Sequence, residues 1–188
     1  MRVLIVDDES LIRMDLRDII ESCGHEVVAE GTNGIEAIQL CKQHKPDIIL
    51  MDVKMPELDG IEAARQIGFH HEAPVVLLTS YSQQDLINKA RESGVYGYLI
   101  KPVREEQLVP TLEMSLGRYK SDAQLREKMA ELEQSLEDRK IIQKGTGLLM
   151  ELYSISEEEA YNRIRALSMK KRDSIVNICK ALINQVLK

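Results

Sequence analysis

The chain has 188 residues, room for one full domain and a smaller module, with 44% hydrophobic side chains, 4% aromatics and no Trp. No apolar run approaches the roughly 20 residues of a membrane span, and charges begin at Arg2 and Asp7, which excludes a signal peptide and points to a soluble cytoplasmic protein. The net charge of −6 is uneven: residues 1–120 carry 13 basic and 20 acidic side chains, whereas residues 139–188 carry 10 basic and 5 acidic, so only the tail suits a polyanion.

In chain order, short runs rich in Val, Ile and Leu over 2–7, 26–30, 47–51, 74–78 and 97–100 predict buried parallel strands. Between them, Ser10 to Ser22, Gly34 to His44, Asp59 to Phe69 and Gln83 to Ser93 repeat apolar residues at three- and four-residue steps and predict helices. A fifth helix is expected near Glu105 to Arg118. Strict alternation predicts an α/β domain over residues 1–120, a doubly wound five-stranded parallel sheet. Cys23, Cys41 and Cys179 lack metal-site spacing and read as ordinary thiols.

After Leu116 the pattern changes. Ser121 to Lys144 contains neither Gly nor Pro, and Leu125, Met129, Leu132 and Leu136 step as a coiled-coil seam, which loses its apolar character at Arg139 and Gln143. Residues 121–138 are therefore expected to be a helical linker, its stripe covered by a second copy or by the chain's own domain. Residues 139–188 predict a three-helix all-α module. In it, Ser156 and Glu159 form a capping box that opens a helix through about Leu167, Lys170-Lys171-Arg172 follow, and a last helix runs from Ile175.

Chemistry concentrates where the predicted strands end. Asp7-Asp8 close the first strand and Asp52 the third, placing three acids at the carboxyl edge where open α/β sheets bind ligands. Clustered carboxylates demand a cation, their hard oxygens suit Mg²⁺, and a carboxylate is also able to accept a phosphoryl group. Thr79 ends the fourth strand and Lys101, followed by Pro102, the fifth. A hydroxyl, an ammonium and Mg²⁺ suit the oxygens of a transferring phosphoryl group.

Asp7-Asp8, Asp52 with Met55-Pro56 and Asp59-Gly60, Thr79 and Lys101-Pro102 resemble the receiver domain of two-component response regulators, across about residues 1–120. The resemblance implies a flavodoxin-like fold and an Asp52 that accepts phosphoryl from a sensor histidine kinase. It implies that Asp7, Asp8, Asp52 and the backbone carbonyl of Lys54 hold Mg²⁺, that Thr79 and Lys101 bind the phosphoryl oxygens, and that Tyr98 swings inward as a switch. A haloacid dehalogenase-type phosphatase would need a second Asp two residues beyond the nucleophile, where this chain has Lys54. No turnover enzyme is expected, only slow self-dephosphorylation.

A DNA-reading output would want a tight Gly-containing turn and a basic recognition helix, whereas the helix after Ser156 opens Glu157-Glu158-Glu159. Arg139 to Lys144, Gly147 to Met150, Ser156 to Tyr161, Ile164-Arg165, Ser168-Met169 and Arg172 are instead similar to the ANTAR domain, with departures at Gly145, Thr146 and Ser168. That resemblance implies a three-helix module that binds paired stem-loops in nascent leader mRNA, blocks the terminator hairpin and ignores duplex DNA. Candidate RNA contacts are Lys144, Thr146, Gly147, Met150, Tyr161, Arg163, Arg165, Met169, Lys170, Lys171 and Arg172; Tyr161 equally suits a core, and Met150 and Met169 suit a core better than a contact. The whole chain resembles ethanolamine-utilisation antiterminators of Gram-positive bacteria, implying such an operon as target and a homodimer formed on phosphorylation. A DNA-binding or protein-interaction output is the alternative.

Overall fold

The computed structural model describes residues 1–70, 72–80 and 94–186. The helix expected over Gln83 to Ser93 lies outside the described residues. Five strands, β1 (Arg2–Val6), β2 (Glu26–Gly31), β3 (Ile48–Asp52), β4 (Val75–Thr79) and β5 (Val95–Ile100), form one sheet in the order β2-β1-β3-β4-β5. Every pairing is parallel. Among the described residues there are six helices: α1 (Ser10–Ser22), α2 (Gly34–His44), α3 (Gly60–Phe69), α4 (Glu105–Tyr153), α5 (Glu157–Lys171) and α6 (Ile175–Val186).

Side chains on a strand alternate between faces, and here both faces are buried, which is why the strands read as unbroken apolar runs. Leu4, Val6, Ile49, Met51, Val75 and Leu77 pack with Ala37 and Cys41 of α2 and Ala63, Ala64 and Ile67 of α3. Val3, Ile5, Ile48, Leu50, Val76 and Leu78 pack on the other face with Leu16 and Ile20 of α1 and Leu108 and Leu112 of α4. Each fully buried aliphatic side chain of this size contributes about 1.5–3 kcal/mol, so these two layers fix the sheet and with it the strand ends. Asn33 and Asp59 cap α2 and α3 by accepting from the amides of Glu36 and Glu62 at 2.9 and 2.8 Å.

The chain divides into two compact units, residues 1–123 and 124–188, and the division falls inside α4. This corrects the expectation of one helix near Glu105 to Arg118 and another beyond Ser121: a single 49-residue helix runs from Glu105 to Tyr153. Gly117, Gly145 and Gly147 lie within it, because a helical Gly costs only about 1 kcal/mol and does not end a helix without a capping geometry. The break comes at Ser154, whose φ of 53° is left-handed.

In the second unit, Leu149 of α4, Ala160 and Ile164 of α5, and Ile178 and Cys179 of α6 form the core. Ser156 accepts from the Glu159 amide at 3.3 Å, as a capping box requires, while the Glu159 carboxylate is engaged by Arg163 at 2.8 Å. Helix α5 continues past the expected Leu167 to Lys171. Its last turn therefore contains Lys170 and Lys171, positive charge at the end where the helix dipole favours it, and Arg172 caps it with φ 53°. No helix among the described residues is long and apolar enough to cross a membrane.

Gly60 and Gly145 are among the glycines that close approach requires. A Cβ on Gly60 would run into the Asp52 carbonyl oxygen, and one on Gly145 would meet Cβ and Sγ of Cys179 at 2.8 Å. Gly60→Ala should therefore destabilise the first unit by roughly 2 kcal/mol or more. Gly145→Ala should loosen the second unit by a smaller amount, since its added Cβ would meet Cys179 at 2.8 Å, less closely than one on Gly60 would meet the Asp52 backbone. Urea unfolding of the two variants checks both, and wild-type stability of Gly60→Ala would contradict the packing described.

Candidate functional site

Four strand ends meet at one edge of the sheet. The Asp7 amide donates to the Gly31 carbonyl at 3.1 Å, continuing the β1–β2 pairing and drawing the Asp7 side chain into full burial. Asp52 is the last residue of β3, and the next amide, Val53, donates to the Leu78 carbonyl at 3.1 Å. The Lys101 amide donates to the Thr79 carbonyl at 2.9 Å, which locks the ends of β4 and β5 together, and the Lys101-Pro102 bond is cis. Parallel register thus brings together side chains that are far apart in sequence.

Asp7, Asp8 and Asp52 each present a carboxylate oxygen within 4.8 Å of the other two. Lys101 Nζ lies 2.7 Å from Asp7 Oδ2 and 3.0 Å from Asp52 Oδ1. Three carboxylates and one ammonium leave an excess of two negative charges, which a divalent cation cancels. Such a donor set of converging hard oxygens fits a small oxygen-seeking cation.

Burial pushes the Asp52 carboxyl above its ordinary range, and the charge on Asp7 adds to the effect, against hydrogen bonding and attraction from Lys101. Burial works against the charge on Lys101, but hydrogen bonds to Asp7 and Asp52 outweigh it and hold the ammonium above its usual range. Lys101 therefore stays cationic at neutral pH, in contact with both Asp7 and Asp52.

Thr79 is partly exposed, and its hydroxyl donates to the Ser80 carbonyl at 3.2 Å, not to Asp52. Tyr98, on β5 opposite Leu77, is 49% exposed. Lys54 follows β3 by two residues with its side chain in solvent. Sequence reasoning passed over Arg13 and Glu30. Arg13 Nη1 donates to the Asp7 carbonyl at 2.7 Å and its Nε to Glu30 Oε2 at 3.1 Å. Their separation along the chain and the absence of a motif joining them left no signal.

In the second unit, Lys144, Arg165, Lys170, Lys171 and Arg172 are exposed, as are Tyr161 and Met169. Arg163 is exposed but committed, paired with Glu159 and lying over the Tyr153 ring at 5.5 Å from its centroid. Thr146 is buried, and its hydroxyl donates to the Ile142 carbonyl at 2.8 Å, which engages its side chain in the packing of the module. Met150 is half-buried against the module's core and Gly147 is half-buried. The seam residues Leu125, Met129, Leu132 and Leu136 are each more than half exposed.

Comparison with known proteins bears on both units. Residues 3–113 match the response regulator receiver domain family, and residues 130–183 match the ANTAR domain family. Over 182 residues the chain is 39% identical to the transcriptional regulatory protein PdtaR of Mycobacterium tuberculosis, covering 97% of this chain and 89% of that protein. The chemotaxis protein CheY of Thermotoga maritima is 40% identical over 112 residues, 59% of this chain and 93% of that protein. Among solved structures, the signal receiver domain of a modulated diguanylate cyclase from Desulfovibrio desulfuricans is similar with a TM-score of 0.60 at 33% identity, covering 64% of this chain and 97% of that one.

The raised pKa of Asp52 has a sign that is open to test. A carboxyl whose folded value exceeds its unfolded value favours folding below the unfolded value, and that contribution is lost as pH rises through the folded one. Asp52→Asn, which is neutral throughout, should melt a few degrees above wild type at pH 7 without metal. The gain should shrink as pH falls into the carboxylate range. Thermal melts across pH check this; a variant that melts lower at pH 7 would contradict the electrostatics described.

Proposed function

Because the chain belongs to the response regulator receiver family and carries an ANTAR domain, we propose that phosphoryl transfer to Asp52 controls binding of its carboxyl-terminal module to structured leader RNA. The observation that carries the reading is the placement of Asp52 at the edge of the sheet, beside Asp7 and Asp8 and in contact with Lys101. The donor is a sensor histidine kinase. An Asp52 carboxylate oxygen attacks the phosphorus of its phosphohistidine, an O–P bond forms, the N–P bond breaks, and the electron pair leaves with the imidazole.

Asp7, Asp8, Asp52 and the Lys54 backbone carbonyl would hold Mg²⁺, which supplies compensation for the charge of the transferring group. Lys101, already against Asp52, pairs with a phosphoryl oxygen, and the Thr79 hydroxyl turns from Ser80 to another. Tyr98 then moves inward from its half-exposed position and reports the change on the surface of β5. Lys54 supplies no general acid two residues beyond Asp52, so the only catalysis is slow self-dephosphorylation.

The output acts on paired stem-loops of nascent leader mRNA in the cytoplasm and prevents terminator formation. Arg165, Lys170, Lys171 and Arg172 are free on the surface for phosphates, while Tyr161 and Met169 offer faces to unpaired bases. Glu157, Glu158 and Glu159 in the first turn of α5 disfavour entry of that end into duplex DNA. An ethanolamine-utilisation operon is the target proposed, on the strength of whole-chain sequence resemblance. The exposed seam of α4 pairs two phosphorylated copies in parallel and so presents two modules to two hairpins.

Acetyl phosphate with Mg²⁺ should add one hydroxylamine-labile phosphate to wild type and none to Asp52→Ala; equal labelling of the variant would overturn the assignment. In sedimentation, beryllofluoride should convert wild type from monomer to dimer. Leu132→Glu should remain monomeric while still accepting phosphate at Asp52, and a dimer of that variant would remove the seam from the account.

A further inference from the structure

The turn between β1 and α1 carries two of the three carboxylates, so whatever fixes its backbone fixes the site. One side chain does this from outside the turn. Arg13, six residues beyond Asp7 on α1, donates from Nη1 to the Asp7 carbonyl at 2.7 Å and from Nε to Glu30 Oε2 on β2 at 3.1 Å. Its side chain is only 16% exposed, which is unusual for an arginine that touches no ligand. The other Glu30 oxygen accepts from Arg17 Nε at 2.7 Å, and Arg17 in turn reaches Glu21 at 3.0 Å. The turn also holds itself, since the Glu9 amide donates to Asp7 Oδ1 at 3.0 Å.

We propose that Arg13 is a positioning residue of the acidic site: anchored by Glu30, its guanidinium holds the Asp7–Glu9 turn so that the Asp7 and Asp8 carboxylates converge on Asp52. This rests on the proposed function, in which those carboxylates bind Mg²⁺, and concerns residues outside the metal's own ligands. The fork of the guanidinium matters because two donors must reach a carbonyl on one element and a carboxylate on another at once.

Charge alone and positioning give opposite signs. Arg13 is a cation beside a cation site, so deleting it removes repulsion and, by Coulomb's law alone, strengthens Mg²⁺ binding. If Arg13 instead positions the ligands, deleting it weakens binding. Partners of metal ligands commonly change affinity by about 10- to 100-fold when removed.

The test titrates Mg²⁺ against the melting temperature of the full chain. Arg13→Ala should raise the half-saturating Mg²⁺ concentration about tenfold. Acetyl-phosphate labelling at saturating Mg²⁺ should return close to wild type. Arg13→Lys, which keeps the charge but not the fork, should recover only part of the affinity. Arg17→Ala, which leaves Arg13 on Glu30, should change it much less.

Glu30→Gln loosens the anchor without removing Arg13. It should weaken Mg²⁺ binding in the same direction even if Arg13→Ala folds poorly. An unchanged or tightened Mg²⁺ titration in Arg13→Ala or Glu30→Gln overturns the inference, as does a wild type with no Mg²⁺ response. A wild type that binds Mg²⁺ but takes no phosphate at Asp52 would instead fail the proposed function, and the Arg13 titration would still stand or fall by its own sign.

Discussion

Mutual repulsion of three carboxylates at one sheet edge is the constraint around which the first unit is arranged. Asp7, Asp8 and Asp52 approach within 4.8 Å because the parallel register of β1 and β3 and the two apolar layers leave them nowhere else to go. Lys101 offsets part of that repulsion by contacting Asp7 and Asp52 together. The remaining negative charge makes the edge a receptor for a cation. Burial of Asp52 keeps its carboxylate poorly solvated, and contact with Lys101 offsets part of that cost.

A change of charge at one edge of a sheet has consequences elsewhere only if something bistable is attached to it. The candidates are Thr79, whose hydroxyl is parked on Ser80, and Tyr98, half exposed on β5. Helix α4 packs Leu108 and Leu112 against the sheet, and its later residues Ile141, Ile142 and Leu149 belong to the core of the second unit. One covalent helix thus belongs to both units. The seam within it is short, and isolated helices with so little apolar contact are marginal, so the pairing proposed for it would depend on a second contact between copies.

Much of this was legible in the sequence, for physical reasons that differ from residue to residue. The five strands read clearly because both faces of the sheet are buried, and Asp7, Asp52, Thr79 and Lys101 could be placed at one edge because each follows an apolar run. Ser156 announced a helix start through its capping box. The continuity of α4 was not legible, since Gly117, Gly145 and Gly147 look like punctuation and only close packing on Cys179 explains the second of them. Local pattern also did not show the burial of Thr146, which depends on its neighbours in space, or the pairing of Arg163 with Glu159 one turn away. Arg13 and Glu30 meet across two elements, a relation that no local motif encodes.

The central claim is that the chemistry at Asp52 sets the affinity of the second unit for RNA. Its most direct test is the affinity of the full chain for a leader RNA carrying two stem-loops, measured by fluorescence anisotropy in Mg²⁺ with and without beryllofluoride. Coupling of the usual strength between two sites would tighten binding by about 5- to 150-fold when the phosphoryl mimic is present. Equal affinity in the two conditions would contradict the account.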